Sequence, residues 1–174
     1  MSWRRGLLAC LCLLTTQMAS ADSVQPGAPA PDFALQDGEG KLRKLADWRG
    51  QWLVLYFYPK NDTPGCTVEA QGFRDSQAEF AALGAQVAGV SLDDAVSHQA
   101  FAKTQRLNFP LLVDEDGKTA RSYGALTNLA IVKFAKRHTF LIDPDGRIAK
   151  VYRDVEPARH AAELLADLRF FKRN

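Results

Sequence analysis

The sequence contains few cysteines and no apolar run long enough to cross a bilayer. Its three cysteines are Cys10, Cys12 and Cys66. The apolar segment at residues 6–14 is far shorter than the ~20 residues that a membrane-spanning helix needs, which disfavours a permanent anchor. Internal repeats and low-complexity tracts are also absent. A chain of 174 residues, 47% hydrophobic and 24% charged, therefore fits one globular domain with a single core.

The N-terminus instead has the three parts of a secretory signal peptide. Arg4 and Arg5 precede the apolar segment, and small residues provide a cleavage site after Ala21. The expected division of the chain is a signal peptide at 1–21, an extended leader at 22–31 and the domain at 32–174. We therefore expect a periplasmic or secreted protein.

Two other export routes are compatible with single features of the N-terminus. Cys10 follows an apolar stretch, as a lipid-modified cysteine does, but the apolar segment in front of it is too short. Arg4 and Arg5 are compatible with twin-arginine export, which carries folded proteins. No cofactor is expected in this protein, so nothing requires it to fold before export, and ordinary secretion is the default.

Cleavage after Ala21 changes both the charge and the cysteine count. Loss of Arg4 and Arg5 reduces the 22 basic residues to 20, equal to the 20 acidic residues. With a formal charge of zero, the remaining chain gives no support for a nucleic-acid or membrane partner. Cys66 becomes the single cysteine and cannot form an internal disulfide. It is either buried and inert or reactive.

A strand, a turn and a helix are predicted around Cys66. Residues 52–58 form a nearly continuous apolar run, which predicts a central strand covered on both faces and ended by Pro59. Four apolar residues then recur at helical spacing, namely Ala70, Phe73, Phe80 and Leu83. Cys66 is therefore predicted to lie in the first turn of an amphipathic helix.

The rest of the chain alternates between predicted strands and helices. The predicted elements are hairpins at 33–35 with 42–45 and at 137–143 with 147–153, strands at 86–92 and 110–113, helices at 94–106 and 118–123, and a last helix opened by Pro157. The helix at 94–106 should pack through Val96, Ala100 and Leu107, and residues 124–136 are expected to form a partly apolar loop near the site. The order predicts an α/β, thioredoxin-like fold, in which helices flank a mixed central β-sheet and an N-terminal β-hairpin is added.

The predicted position of Cys66 favours its reactive thiolate form. Unpaired N–H groups at a helix N-terminus and a nearby cation stabilise a thiolate, and Arg137 is the candidate cation because its strand can pair with the strand that leads to Cys66. A thiolate that attacks an O–O bond also needs donors for the departing oxygen. Thr63 Oγ, Arg137 and the N–H of Gly65 or Cys66 are candidates. Pro59 would keep the turn rigid.

The same residues form a known motif. Pro59-x-x-x-Thr63-x-x-Cys66 resembles the active-site signature of peroxiredoxins, and residues 56–75 resemble the peroxiredoxin Q, or bacterioferritin-comigratory-protein, subfamily. The similarity continues at 90–101, 108–117 and 137–146. It implies a thiol peroxidase without cofactor that reduces hydrogen peroxide and organic hydroperoxides. Cys66 would be the peroxidatic cysteine, Thr63 and Pro59 its partners, and Arg137 the arginine beside the thiolate.

One position departs from the subfamily pattern. Many members carry a resolving cysteine five residues after the peroxidatic one, where this sequence has Gln71. The resemblance is therefore to a one-cysteine enzyme, whose sulfenic acid is reduced by an external thiol. The expected reductant is a thioredoxin-like protein, a glutaredoxin-like protein or glutathione. A monomer is expected.

Simpler interpretations exist for each residue of the site. Cys66 would then be a buried structural cysteine, Thr63 a helix N-cap and Arg137 a member of a surface ion pair. Glu69 and Arg74 are expected to be solvated or helix-supporting charges. The three histidines are scattered and suggest no metal site.

Two other functions are compatible with the predicted fold. A thiol:disulfide oxidoreductase of the thioredoxin type would need a second cysteine in Cys-x-x-Cys spacing, where this chain has Thr63. A redox-inactive binding module would leave Cys66 without reactivity. Trapping of a sulfenic acid at Cys66 distinguishes these functions from a peroxidase.

Overall fold

The computed structural model of the protein describes residues 24–173. The predicted signal peptide at 1–21, with its cleavage site and two cysteines, lies outside these residues. Between residues 24 and 173, no helix is long and apolar enough to cross a membrane.

The described chain forms nine strands and five helices. The strands are β1 (Ala34–Gln36), β2 (Leu42–Lys44), β3 (Trp52–Phe57), β4 (Ala85–Ser91), β5 (Leu111–Val113), β6 (Leu126–Leu129), β7 (Val132–Ala135), β8 (His138–Ile142) and β9 (Ile148–Tyr152). The helices are α1 (Pro64–Asp75), α2 (Gln77–Ala82), α3 (Ala95–Gln105), α4 (Lys118–Ser122) and α5 (His160–Phe171), and a short 3-10 turn spans Leu45–Trp48.

Five strands form one mixed sheet in the order β5-β4-β3-β8-β9. Strand β3 pairs in parallel with β4 and antiparallel with β8, so it lies at the centre of the sheet. The apolar run of β3 predicts this position, because a central strand is covered on both faces. The thioredoxin-like α/β prediction is confirmed, as is the N-terminal hairpin, formed by β1 and β2.

The two faces of β3 bury alternate side chains in two clusters. Leu53, Leu55 and Phe57 pack with the N-terminal segment and α4. Val54 and Tyr56 pack on the other face with α1, α2, α3 and α5. All five side chains are at most 1% exposed. Full burial of such a side chain contributes about 1.5–3 kcal/mol, so β3 is a rigid base for the turn that follows it.

Three predicted boundaries or segments differ from the structure. The helix after Cys66 is broken at Ser76, where α1 ends and α2 begins one residue later. Helix α5 begins at His160 and not at Pro157. Residues 124–136 are not a loop, since β6 and β7 pair as an antiparallel hairpin. Most side chains of this hairpin are exposed or half-buried, so its sequence lacks the alternation that identifies a strand.

Helix α3 itself packs through a different face from the predicted one, although Leu107, which follows the helix, does pack against the core as predicted. Val96 is 75% exposed and Ala100 is also exposed, whereas His98 and Phe101 are buried. A buried histidine needs hydrogen-bond partners, and the fold provides them for His98 from distant segments. The apolar spacing of α3 did not indicate a polar residue on its buried face.

Candidate active site

The turn after β3 delivers Cys66 to the start of α1. Thr63 is the N-cap residue of α1 and Cys66 is its third residue, as the strand–turn–helix prediction requires. Cys66 is 1% exposed and forms no disulfide. The first N–H groups of a helix have no partner within the helix, so those of Gly65 and Cys66, in the first turn of α1, are available as donors.

Arg137 lies against Cys66 because of the strand order. It immediately precedes β8, whose first residue, His138, pairs with Phe57 at the end of β3. Its Nη2 donates a hydrogen bond to Cys66 Sγ at 3.3 Å. Burial lowers the pKa of Arg137, but interactions with Glu69 and Cys66 outweigh burial and hold this pKa above its usual value. The guanidinium therefore stays charged beside the thiol.

The position of the guanidinium depends on Gly65. A Cβ atom at this residue would lie 3.1 Å from Arg137 Nη2 and 3.7 Å from Pro157 Cγ. The first distance is shorter than ordinary van der Waals contact, so any larger residue would displace Nη2. The missing side chain at Gly65 thus leaves room for Arg137.

Glu69 is a third member of this group, and the expectation that it is solvated is wrong. Its side chain is fully buried and accepts a hydrogen bond from Arg137 Nη1 through Oε2. Its other oxygen, Oε1, has no hydrogen-bond partner among the described residues. Burial raises the pKa of Glu69 to about 7, although Arg137 favours the ionised form. We call Cys66, Glu69 and Arg137 the thiol cluster.

The sequence does contain a signal for the burial of Glu69. The buried residues of α1 are Cys66, Glu69, Ala70 and Phe73. Their spacing of i, i+3, i+4 and i+7 is that of one helix face, so Glu69 occupies a core-facing position. Its charge suggested solvent exposure, but the distant Arg137 supplies the pairing that a buried carboxylate needs.

The hydrogen bond to the sulfur comes from Arg137, and the other two predicted residues have different contacts. Thr63 Oγ1 donates its hydrogen bond to the Lys60 carbonyl at 3.0 Å and makes no side-chain cap. Pro59 is half-buried and lines a cavity of about 490 Å³ together with Lys60, Asp93 and residues 132–134 of β7. The hairpin of β6 and β7 therefore borders the turn that carries the candidate site.

A second buried polar group holds the turn itself. Tyr58 Oη donates to Asn61 Oδ1 at 2.8 Å, and the Asn61 N–H donates to Asp93 Oδ2 at 2.9 Å. The Asn61 amide also donates to Ser97 Oγ and to His98 Nδ1, at 2.8 and 3.0 Å. We call Tyr58, Asn61, Asp93 and His98 the turn cluster.

The hydrogen bonds of His98 define its protonation. Nε2 lies 3.1 Å from the Leu112 carbonyl, which only accepts, so Nε2 carries the hydrogen. Nδ1 then accepts from Asn61, and the ring is neutral. Burial lowers the pKa of His98, in agreement with this neutral state. The turn cluster thus joins the turn to α3 and β5.

Gln71, at the position of the missing resolving cysteine, ties α1 to α3. Its Nε2 donates to Gln105 Oε1 at 2.8 Å. Arg74, predicted to be solvated or helix-supporting, donates to the Gln105 carbonyl at 2.7 Å and to Asp75. These bonds link the middle and end of α1 to the end of α3. Across residues 24–173, no group of acidic, histidine and cysteine side chains could hold a metal ion.

Comparison with known proteins gives consistent matches. The profile of the AhpC/TSA family matches residues 26–151. The chain is 42% identical to "Peroxiredoxin Bcp" of Bacillus subtilis (strain 168) over 153 residues, which cover 84% of this chain and 96% of that protein. It is 41% identical to "Peroxiredoxin Q, chloroplastic" of Triticum aestivum over 143 residues, or 82% of this chain and 65% of that longer protein.

Solved structures are similar in fold as well as in sequence. The Mycobacterium tuberculosis peroxidoxin BcpB superimposes with a TM-score of 0.80 at 37% identity, covering 84% of this chain and 97% of that one. The Xanthomonas campestris bacterioferritin comigratory protein, whose alkyl peroxide reduction activity is described, gives a TM-score of 0.78 at 34% identity. This second match covers 84% of this chain and 99% of that one.

Proposed function

We propose that Cys66 reduces hydrogen peroxide and organic hydroperoxides in a one-cysteine cycle. The premise is that the chain belongs to the AhpC/TSA family and is a thiol peroxidase of the peroxiredoxin Q and Bcp type. The observation that carries the proposal is the 3.3 Å contact between Arg137 Nη2 and Cys66 Sγ at the start of α1. A cation and free N–H groups at one sulfur stabilise a thiolate, which is the nucleophilic form of cysteine.

The first half of the cycle oxidises Cys66. The thiolate attacks one oxygen of the peroxide, so that an S–O bond forms while the O–O bond breaks. Sulfur gives two electrons to the peroxide, Cys66 becomes a sulfenic acid, and the leaving oxygen takes a proton to become water or an alcohol. Negative charge grows on that oxygen in the transition state. Arg137 and the N–H groups of Gly65 and Cys66 are fixed donors near this position.

The second half returns Cys66 to the thiol. One external thiol attacks the sulfenic acid and releases water, which leaves a mixed disulfide, and a second thiol then frees Cys66 as a disulfide of the reductant forms. The reductant is a thioredoxin-like protein, a glutaredoxin-like protein or glutathione. Support comes from Gln71, which lies about 140° around α1 from Cys66, since each residue turns a helix by about 100°.

The contacts of α1 support a cycle in which the helix stays folded. A resolving thiol at position 71 would need α1 to unwind, because disulfide formation brings Cβ atoms to about 4 Å. Here Gln71 and Arg74 fix α1 to Gln105. An external thiol requires no such unwinding, and the protein acts as a monomer in this scheme.

Dimedone labelling tests the peroxidase function. The wild-type protein, treated with one equivalent of peroxide, should acquire a dimedone adduct at Cys66 and should consume peroxide when dithiothreitol is present. Cys66→Ser should consume peroxide only at the background rate. An unreactive wild-type Cys66 would favour the binding module. Insulin disulfide reduction without peroxide consumption would favour the oxidoreductase.

We also propose that the exported form begins at Asp22. The signal-peptide pattern of residues 1–21 supports this proposal. The intact mass of the protein recovered from the periplasm or medium should equal that of residues 22–174. A mature form that retains Arg4 and Arg5, or that carries lipid on Cys10, would contradict it.

A further inference from the structure

One cation in the thiol cluster serves two buried acids. Arg137 donates from Nη2 to Cys66 Sγ and from Nη1 to Glu69 Oε2. Cys66 and Glu69 are each 1% exposed, and they lie three residues apart on one face of α1. If both acids ionise, the cluster carries one net negative charge. If only one ionises, its charge balances that of Arg137.

The neighbouring titratable groups do not supply a second positive charge. Tyr56 and Tyr58 of β3 interact electrostatically with Cys66 and Glu69, but burial raises their pKa values well above 10, so they stay neutral. His160, at the start of α5, interacts with Arg137, and burial lowers its pKa to about 4. At neutral pH, Arg137 is therefore the charge that Cys66 and Glu69 share.

A buried site that holds one cation favours one anion. An uncompensated buried charge is costly, and two like charges in one site raise the affinity of one of them for a proton. Glu69 is suited to keep that proton, since burial raises the pKa of Glu69 to about 7 and Oε1 has no hydrogen-bond partner among the described residues. Two such acids titrate as a coupled pair.

We propose that Cys66 and Glu69 share one dissociable proton, and that the Glu69 carboxyl holds it while Cys66 is the thiolate. The proposal rests on the peroxidase function above. The thiol proton moves within the cluster, from sulfur to carboxylate, so the thiolate forms without a change in net charge. When the O–O bond breaks, the leaving oxygen requires one proton. Transfer of the Glu69 proton to that oxygen gives water or an alcohol and restores the carboxylate. Glu69 thus acts as the proton reserve of the cluster.

The pH dependence of Cys66 alkylation by iodoacetamide tests the sharing of the proton. Glu69→Gln keeps the shape of the side chain and an oxygen that accepts from Arg137, but removes the competing negative charge. We expect the pH of half-maximal alkylation to fall by about 1 pH unit in this variant. Glu79→Gln is the matched control, because Glu79 is exposed on α2 and pairs with Arg169, and it should leave the profile unchanged.

The direction of the change separates this role from a purely structural one. If Glu69 only positioned Arg137, Glu69→Gln would weaken that contact and alkylation would move to higher pH or stay unchanged. Either result would overturn the proposal. Because iodoacetamide reacts with the thiolate whether or not peroxide is reduced, this result is independent of the test of the peroxidase function.

Infrared difference spectroscopy of the wild-type protein tests the proposal even if Glu69→Gln fails to fold. Alkylation turns the Cys66 thiolate into a neutral thioether, so the negative charge beside Arg137 should pass to Glu69. We expect the alkylated-minus-free spectrum at pH 7 to show loss of a protonated carboxyl C=O band. A spectrum without this loss would contradict a proton held on Glu69.

Discussion

The thiol cluster includes residues of α1 and the turn cluster includes residues of the turn that leads into α1, yet the two clusters differ in how fully their polar atoms are paired. In the turn cluster, Tyr58 and the side-chain amide of Asn61 both donate, and His98 uses both ring nitrogens. In the thiol cluster, Glu69 is equally buried, but its Oε1 has no partner among the described residues.

This difference separates a supporting role from a chemical one. A fully paired buried network fixes one geometry, because any movement leaves a donor or acceptor unsatisfied. A buried carboxyl with a free oxygen and a raised pKa can instead change its protonation at little structural cost. The turn cluster therefore holds the backbone that presents Cys66, and the thiol cluster handles charge and protons.

The largest expected effect comes from removing the cation of the thiol cluster. In Arg137→Met, loss of a fixed donor to the sulfur and the leaving oxygen should slow peroxide reduction about 100-fold. Alkylation of Cys66 should also move to higher pH. Arg169→Met, which removes an exposed arginine paired with Glu79, should change neither property. Identical alkylation profiles in Arg137→Met and the wild type would show that Arg137 does not stabilise the thiolate.

Substitutions in the turn cluster should lower the free energy of unfolding more than they slow peroxide reduction. Asn61→Ala leaves Tyr58 Oη and His98 Nδ1 without their Asn61 partner, which should lower the free energy of unfolding by about 3 kcal/mol. Ser97→Ala removes one of two acceptors of the Asn61 amide and should cost about 1 kcal/mol. Urea unfolding measures both. Equal losses would mean that Asn61 is not the centre of the cluster.

A smaller effect is expected from moving Arg137 without removing it. In Gly65→Ala, the new Cβ meets Nη2 at 3.1 Å and shifts the guanidinium, so peroxide reduction should fall about tenfold. Gly72→Ala is the control in the same helix, since its Cβ meets only Ala161 Cβ, at 3.7 Å. This control should keep full activity and gain about 0.5–1 kcal/mol of stability. Equal rates of peroxide reduction in Gly65→Ala and Gly72→Ala would mean that the close contact of the Arg137 guanidinium with Gly65 is unimportant.

The smallest effect concerns how each cluster responds to pH. Burial lowers the pKa of His98 from its usual 6.5, so the folded state binds fewer protons than the unfolded state and stability falls as the pH drops through 6.5. The raised pKa of Glu69 has the opposite effect on stability, because the stability that its bound proton contributes is lost as the pH rises through about 7. His98→Gln should flatten the acid side of the stability curve in urea unfolding. An unchanged slope would contradict a neutral His98.

The sequence predicted those parts of the fold and site that depend on local pattern. The apolar run of β3, the turn residues and the helical spacing after Cys66 specify the strand, turn and helix that present the thiol. The pairing of β8 with β3 followed from the apolar residues of both strands. Arg137 could be placed near Cys66 because it directly precedes β8.

Features that depend on distant partners were missed. Glu69 and His98 are polar residues on buried helix faces, and each is paired there with residues from remote segments. Arg137 pairs with Glu69, whereas Asn61 and Leu112 hydrogen-bond to His98. Their polar character suggested solvent exposure, although the spacing of the buried α1 residues places Glu69 on the core-facing side of that helix. The β6–β7 hairpin was missed for the opposite reason, since exposed Leu129 and Ile131 gave it apolar character without burial.

The decisive test of the one-cysteine cycle is the intact mass of the protein after peroxide treatment, with the modification assigned to Cys66. With excess peroxide and no thiol, we expect a mass gain of two oxygens on a monomer, with loss of activity, because a sulfenic acid that is not reduced reacts with a second peroxide and becomes sulfinic. With glutathione present, we expect a mixed disulfide at Cys66 and continued turnover. A reducible Cys66–Cys66 dimer that remains fully active in turnover would contradict the one-cysteine cycle, because the second subunit would then be the resolving partner.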